Sequence, residues 1–268
     1  DSKLKNSPQI EFMSSLKIDS SLPLQKKGSK YTNYITPKLS FLINPSDMKN
    51  NSETKRKINN ENIFDINRLG LTDSLETGKS LTMGIEYKKE KLKDINKYFE
   101  FKLATVFRDK EENFIPSTST LNKKTSNLFG SLSNNFSDKF NLEYDFALDN
   151  SLNTFEYNKI SSTISLNNLV TEFSFIEEGG PIGSTNTFEN KSKYIFNENN
   201  SISFKTRRNR KINLTEFYDL VYEYQNDCLT AGIKYNKTYY EDRDLKPTEN
   251  LLFTITLFPL TTYEQQIN

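Results

Sequence analysis

The stretch KFNLEYDFALD, residues 139–149, decides the fold class. Apolar side chains occupy every second position, namely Phe140, Leu142, Tyr144, Phe146 and Leu148. The other positions carry Lys139, Asn141, Glu143, Asp145 and Asp149, with Ala147 between them. An alternation of period two that continues over about ten residues is typical of a β-strand with one apolar face. The stretch therefore predicts a strand that separates an apolar surface from a charged one.

The same alternation recurs along the chain and predicts thirteen strands. They are expected near 9–18, 30–43, 80–88, 98–108, 125–135, 139–149, 151–166, 169–177, 191–197, 200–207, 214–226, 228–237 and 250–258. The sequence shows no amphipathic helix and no low-complexity linker. We therefore expect one all-β domain over residues 1–268.

Composition limits the classes of function. The 268 residues include 20 Phe and 14 Tyr at a formal net charge of +1, which argues against disorder and against a nucleic-acid-binding protein. There is no His and only one Cys, so a Ser-His-Asp or Cys-His nucleophile is excluded within the chain, and a His- or Cys-based metal site nearly so. Loop carboxylates such as Glu177, Glu178 and Glu241 have no fixed separation in the sequence. We therefore predict no enzymatic activity and no cofactor.

Two architectures could use such strands, a soluble sandwich or a transmembrane β-barrel. Strands of about 9–11 residues suit a tilted membrane crossing, and charged polar faces suit a wet lumen. Tyrosines near strand ends could form an interfacial girdle, namely Tyr218, Tyr222, Tyr224, Tyr235, Tyr239 and Tyr240. Short Asn-rich turns alternate with long loops, the exceptions being a tight Asp149-Asn150 hairpin on the loop side and longer turn-side segments at 19–29 and 89–97. These features favour an antiparallel transmembrane β-barrel.

An odd number of strands conflicts with the even counts of bacterial single-chain barrels. A barrel in lipid must also close, because unpaired backbone groups there cost several kcal/mol each. The start of the sequence has no signal-peptide pattern. We therefore expect the chain to be the C-terminal piece of a larger barrel.

Two blocks of sequence resemble one known family. In ENIFDINRLGLTDSLETGKSLTMGIEY, residues 61–87, the resemblance rests on eight positions and a following strand. They are Asn62, Phe64, Asn67, Arg68, Gly70, Asp73, Glu76 and Gly78. The second block, residues 222–260, consists of a strand, an Asp-Cys turn, a strand, a loop and a closing strand. Both blocks resemble the LPS-assembly protein family LptD of the bacterial outer membrane.

The resemblance implies the C-terminal half of a 26-stranded barrel that translocates lipopolysaccharide to the cell surface. An N-terminal periplasmic jellyroll domain, which receives the lipid from a periplasmic bridge, and the first half of the barrel would be absent here. An LptE-like lipoprotein would plug the lumen, and the lipid would leave through a lateral gate. No covalent chemistry would be catalysed. The alternatives are another barrel, such as a porin or an autotransporter pore, and a soluble β-sandwich binding module.

The resemblance also assigns roles to particular residues. Cys228 matches a C-terminal cysteine that pairs with the N-terminal domain, although the adjacent second cysteine of the family is Asp227 here; the alternative is a free thiol. The closing strand would border the lateral gate through Leu251, Phe253, Ile255 and Leu257, or would be an ordinary final strand. Loop 44–79 would fold over the lumen, or would be an ordinary solvated loop.

A basic hairpin is the last candidate site. Four cations lie close together in TRRNRK, namely Arg207, Arg208, Arg210 and Lys211. Because guanidinium groups suit phosphate, these residues could contact the phosphates of lipopolysaccharide. The alternative is a solvated charged hairpin.

Overall fold

A computed structural model of the chain describes residues 13–239, 247–257 and 261–267. It contains fifteen strands within these ranges. They are β1 (Leu16–Ser21), β2 (Leu24–Lys27), β3 (Tyr31–Asn44), β4 (Gly78–Lys91), β5 (Asp94–Arg108), β6 (Leu128–Ser137), β7 (Phe140–Leu148), β8 (Phe155–Leu166), β9 (Leu169–Glu178), β10 (Asn186–Asn197), β11 (Asn200–Asn209), β12 (Leu214–Gln225), β13 (Leu229–Thr238), β14 (Thr248–Leu257) and β15 (Thr261–Ile267). The helical structure in these ranges is one 3₁₀ turn, Ser117–Ser119, which is far too short to span a membrane.

All strands belong to one antiparallel sheet in which chain neighbours pair. The exception is at the first edge, where β1 and β2 both pair with β3. Leu22 and Pro23 separate these two strands, because proline has no N–H to donate to the ladder. The all-β antiparallel prediction is confirmed, and within the described residues β1, β2 and β15 are the outermost strands.

The predicted count of thirteen strands is wrong in two places. The chain forms β2, which had been assigned to a turn-side segment, and β15, which pairs with β14 along Leu251–Leu257. The strand predicted at 250–258 exists as β14, but it is not the last strand. A strand predicted at 9–18 begins at Leu16, and its residues 9–12 lie outside the described part.

The connections confirm short turns at one end of the sheet and longer loops at the other. The turn-side connections include 28–30, 92–93, 138–139, 167–168, 198–199 and 226–228. The loop-side connections include 45–77, 109–127, 149–154, 179–185 and 210–213. The turn-side connections expected at 19–29 and 89–97 are shorter in the structure, because β1 and β2 occupy most of the first segment and β4 and β5 extend into the second. The tight Asp149-Asn150 hairpin is wrong, since Asp149 Oδ1 accepts the N–H groups of Asn153 and Thr154 in a wider loop.

The two faces of the sheet differ as the alternation predicted. On the apolar face, Leu39 and Met83 are paired across β3 and β4, and each is 44% exposed. On the opposite, polar face, Ser40 pairs with Thr82, and both are buried. A sandwich would bury the apolar face. Here the buried core lies instead against the polar face, beneath loops.

Candidate functional site: the loop cap on the polar face

Three loop-side connections fold onto the polar face. We call them the loop cap, defined as residues 45–77, 109–127 and 179–185. Their buried apolar side chains are Met48, Ile58, Ile63, Leu69, Leu71, Ile115, Leu121 and Ile182. These pack against apolar strand residues at positions of the polar face that elsewhere carry polar or charged side chains. The strand residues are Ala104, Val106, Phe129 and Ala147. Loop 44–79 was expected to fold over a lumen, and the structure shows its buried side chains packed against the polar face of the sheet.

Arg68 ties the cap to β4. Its Nε and Nη2 donate to the two carboxylate oxygens of Glu76 at 2.6 and 2.7 Å. The remaining N–H groups donate to the Ile63 carbonyl, Thr82 Oγ1 and Ser80 Oγ at 3.3, 2.9 and 2.9 Å. All five guanidinium donors are therefore satisfied, although the Arg68 side chain is only 2% exposed.

Arg108 completes the cluster from the end of β5. Its Nη1 donates to Glu76 Oε1, and its Nη2 donates to the Thr77 carbonyl at 2.6 Å. The side chains of Arg108 and Glu76 are 0% and 3% exposed. One buried carboxylate is thus shared by two buried guanidiniums, and Asp109 and Glu112 add electrostatic attraction to Arg108 from the neighbouring loop.

Two glycines of the family motif adopt backbone angles that favour glycine. Gly70 has φ +61° and Gly78 has φ +90°. A Cβ at Gly78 would also lie 3.2 Å from Arg108 Nη2. A side chain at either position would therefore strain the turn, at a cost on the order of 1–3 kcal/mol.

The remaining polar motif residues shape the loop itself. Asn67 bridges its turn, because its Nδ2 donates to the Leu71 carbonyl at 2.8 Å and its Oδ1 accepts the Leu71 N–H at 3.1 Å. Asn62 Oδ1 accepts the Asn59 N–H at 2.9 Å. Asp73 forms an exposed pair with Lys49 at 3.5 Å. The structure thus brings most of the motif residues into one folded unit.

Phe64 packs the loop cap against the sheet. Its ring lies over Gly84 of β4, where a Cβ would approach Phe64 Cζ to 2.7 Å. The Lys38 ammonium lies 5.8 Å from the ring centroid. Phe64 was predicted from the motif, whereas its partner Gly84 was not, because nothing in the local alternation marks a position that a loop will cover.

A cavity of about 350 Å³ lies beneath the edge of the cap. Its walls are segment 57–61 and the polar faces of β5 to β8, with Thr118 and Ile182 from the rest of the cap. Lys57 Nζ crosses to Glu178 Oε1 at 2.6 Å and so links the cap to β9. Sequence analysis did not single out Lys57, because its partner is 121 residues away.

Beyond the cap, ion pairs line the polar face. Each of the following joins neighbouring strands: Lys38–Glu86 at 2.6 Å, Lys159–Asp145 at 3.9 Å, Lys191–Glu172 at 3.5 Å, Lys205–Glu189 at 3.2 Å and Lys234–Asp219 at 3.8 Å. A charged surface of this kind requires water, whereas the other face is apolar and exposed. The interiors and exteriors of transmembrane barrels differ in the same way.

The four basic residues of the hairpin do not form one cluster. Arg207 lies on the polar face, where it pairs with Glu216 and its guanidinium is 5.4 Å from the Phe217 ring centroid. Arg208 is opposite Phe188 on the apolar face, and Arg210 lies 5.4 Å from the Phe175 centroid. The backbone N–H of Lys211, in the connecting loop, donates to Asn209 Oδ1.

The residues expected near the gate lie on the apolar face of β14. Leu251, Phe253, Ile255 and Leu257 are opposite Tyr235, Ile233, Ala231 and Leu229 of β13. On the other side they are paired with β15, so β14 has no free edge along this length. Cys228 is an exposed free thiol at the turn-side end of β13. Of the predicted girdle residues, Tyr240 lies outside the described part.

The exposed apolar face, the charged opposite face, the covering loops and the turn–loop asymmetry define a β-barrel-type protein of the bacterial outer membrane. Residues 5–178 match the family model described as "LptD: LPS transport system D". This match covers more than half of the 268 residues, and the chain belongs to the LptD family. Membership places it in the outer membrane as a component of lipopolysaccharide transport.

Solved porin structures resemble the chain only distantly. A mutant of the Rhodopseudomonas blastica porin has 9% identity and a TM-score of 0.39, with 95% of this chain and 94% of that chain covered. A triple mutant of the same porin has 8% identity and a TM-score of 0.40, with the same coverage. Comparison with curated proteins gives no significant match.

Proposed function

We propose that this chain forms part of the wall of a translocon that inserts lipopolysaccharide into the outer leaflet of the outer membrane. The saccharide moves along the polar face through the lumen, and the lipid leaves along the apolar face through a lateral gate. The observation that carries the proposal is the opposite character of the two faces, with the family-motif loop folded on the polar one.

In this proposal the chain supplies the C-terminal part of a 26-stranded barrel, slightly more than half, because its fifteen described strands fill fourteen positions with β1 and β2 sharing the one beside β3. The remaining strands and an N-terminal periplasmic jellyroll domain complete the molecule. A periplasmic bridge delivers lipopolysaccharide to that domain, and an LptE-like lipoprotein plugs the lumen. Transport involves no covalent chemistry on the lipid.

The gate adjoins the last strands of the sheet. Because β15 pairs with β14, we assign the seam to the far edge of β15. The axis of β15 lies one strand spacing, about 4.8 Å, from that of β14. Leu251, Phe253, Ile255 and Leu257 then form the lipid-facing surface beside the seam. Their alternation along β14 supports this assignment.

The loop-side rim can hold the phosphates of lipopolysaccharide after insertion. Arg208 and Arg210 suit this role best, because both lie at the loop end of the sheet near aromatic residues of the apolar face. Arg208 is paired with Phe188 across the strands, and the Arg210 guanidinium lies over the Phe175 ring. Lys211 lies in the same loop. Arg207 is held by Glu216 on the polar face and would contact phosphate only during passage.

Photo-crosslinking in living cells tests the proposal. A photoreactive residue replaces Ile255 in the intact gene product. Adducts with lipopolysaccharide are measured while lipopolysaccharide is being delivered from the periplasm and again when that delivery is blocked. The matched control is Ile164 of β8, which also lies on the apolar face close to a turn but six strands away. A supply-dependent adduct at Ile255 and not at Ile164 is the expected result. Absence of an Ile255 adduct from folded protein would favour a general pore.

A further inference from the structure

The cavity beneath the loop cap has the size of a small-molecule site. Its volume of about 350 Å³ falls within the range of roughly 300–1,000 Å³ that is usual for ligand pockets. Segment 57–61 forms one wall, and the strands β5 to β8 form the other. A passing ligand would therefore lie between a loop and a rigid sheet.

The lining combines hydrogen-bonding groups with aromatic rings. The hydroxyls and amides belong to Asn59, Asn60, Thr118, Ser131 and Ser133, and the rings to Phe129 and Tyr157. Hydroxyl and amide groups can both donate and accept, and the rings supply apolar contact area. A pyranose needs both properties, because its rim carries hydroxyls and its ring faces carry C–H groups.

The charge of the cavity selects against phosphate. Its lining contains five carboxylates and three ammonium groups. Each ammonium has a carboxylate partner: Lys57–Glu178 at 2.6 Å, Lys102–Glu100 at 2.8 Å and Lys159–Asp145 at 3.9 Å. Among the described residues, Glu61 and Glu143 have no ion-pair partner, so the surplus charge is negative. An anionic ligand would be repelled.

A divalent cation is not favoured either. Within the described part of the chain, no three carboxylates come close enough together to hold a metal ion. Uncharged hydroxyls, in contrast, can donate to Glu61 and Glu143 without the cost of burying another anion.

We propose that this cavity is a binding site for a phosphate-free pyranose unit of the saccharide that moves along the polar face. The inference rests on the proposed function and adds to it a defined binding site along the transport path and a preference for one class of sugar. Phosphate-bearing sugars would pass the site without binding there.

The test places a photoreactive residue at Ser133 in the intact protein in cells, with the cell's own lipopolysaccharide as the probe. Leu132, the next residue of β6, faces the apolar side and is the matched control. Mild acid then cleaves the bond between lipid and sugar in each adduct, and periodate oxidation reports any sugar left on the protein. We expect the Ser133 adduct to retain sugar and to lose lipid, and any Leu132 adduct to show the reverse.

The Ile255 experiment separates the two ideas. A supply-dependent adduct at Ile255 with no adduct at Ser133, or with lipid alone retained there, would overturn the saccharide site and leave the translocon standing. Absence of both adducts would overturn the site together with the proposed function. A Ser133 adduct whose retained sugar carries phosphate would overturn the ligand preference.

Discussion

Arg68 and Glu76 form a bidentate ion pair within one loop, with Nε–Oε2 and Nη2–Oε1 distances of 2.6 and 2.7 Å. Both side chains are almost completely removed from solvent. The pair closes the turn that contains Gly70, and Ser80 and Thr82 attach the same guanidinium to β4. The motif is therefore explained by the folding of the cap, and any role in transport depends on that folded state.

Removing the Glu76 charge should loosen the cap. Glu76→Gln removes the carboxylate that Arg68 and Arg108 share, and breaking a buried pair costs about 3–5 kcal/mol. Hydrogen exchange on the intact protein in detergent should become faster over residues 45–77 and stay unchanged in β11 and β12. The control Asp73→Asn breaks only an exposed pair with Lys49, worth about 0–1 kcal/mol. Equal exchange in the two variants would contradict a structural role for the buried cluster.

Gly84 should tolerate no side chain while Phe64 is in place. In Gly84→Ala the new Cβ would lie 2.7 Å from Phe64 Cζ and 3.0 Å from the Leu103 carbonyl oxygen, an overpacking that costs about 1–3 kcal/mol. The same exchange measurement should detect local opening around residue 64. Gly179→Ala is the control, since a Cβ there meets nothing within 4 Å.

A double-mutant cycle identifies the cause of that effect. Combining Gly84→Ala with Phe64→Leu should cost less than the sum of the two single changes, because the smaller side chain relieves the clash. Strict additivity would mean that Phe64 does not lie over Gly84.

Sequence analysis succeeded where side chains obey a local period and failed where structure depends on distant contacts. The strand β7 was predicted because Phe140 and its alternating neighbours sort onto one face. The strand β15 was missed because its sequence, TTYEQQI, lacks that alternation. Arg108 was not recognised as part of the site, since its partner Glu76 is 32 residues away. The sequence therefore predicted the sheet and the motif residues, but not what the motif residues contact.

The ion pair between Lys57 and Glu178 should control how readily the edge of the cap opens. Glu178→Lys places two ammonium groups together and should increase ion conductance of the intact protein in planar bilayers. The cost in free energy of unfolding should exceed the roughly 0–1 kcal/mol of an exposed pair, because the Glu178 side chain is only 10% exposed although that of Lys57 is 39% exposed. High salt should reduce the difference from the parent protein.

A charge reversal supplies the control for the cap edge. Lys57→Glu combined with Glu178→Lys restores an attractive pair and should return the conductance to the parent level. If the double variant conducts like Glu178→Lys alone, the pair does not hold the cap edge.

Cys228 should form a disulfide with a cysteine outside this chain. Its thiol is exposed at the turn-side end of the sheet, and its N–H donates to Asn226 Oδ1 at 3.0 Å, which fixes the backbone at this turn. The intact protein should show a thiol-sensitive species on a non-reducing gel, and Cys228→Ser should abolish it. The double variant Cys228→Ser/Thr230→Cys moves the thiol by two residues along β13 and should not restore the species, because disulfides need Cα atoms about 4.4–6.8 Å apart. Identical mobility of the parent protein with and without reductant would leave Cys228 as a free thiol.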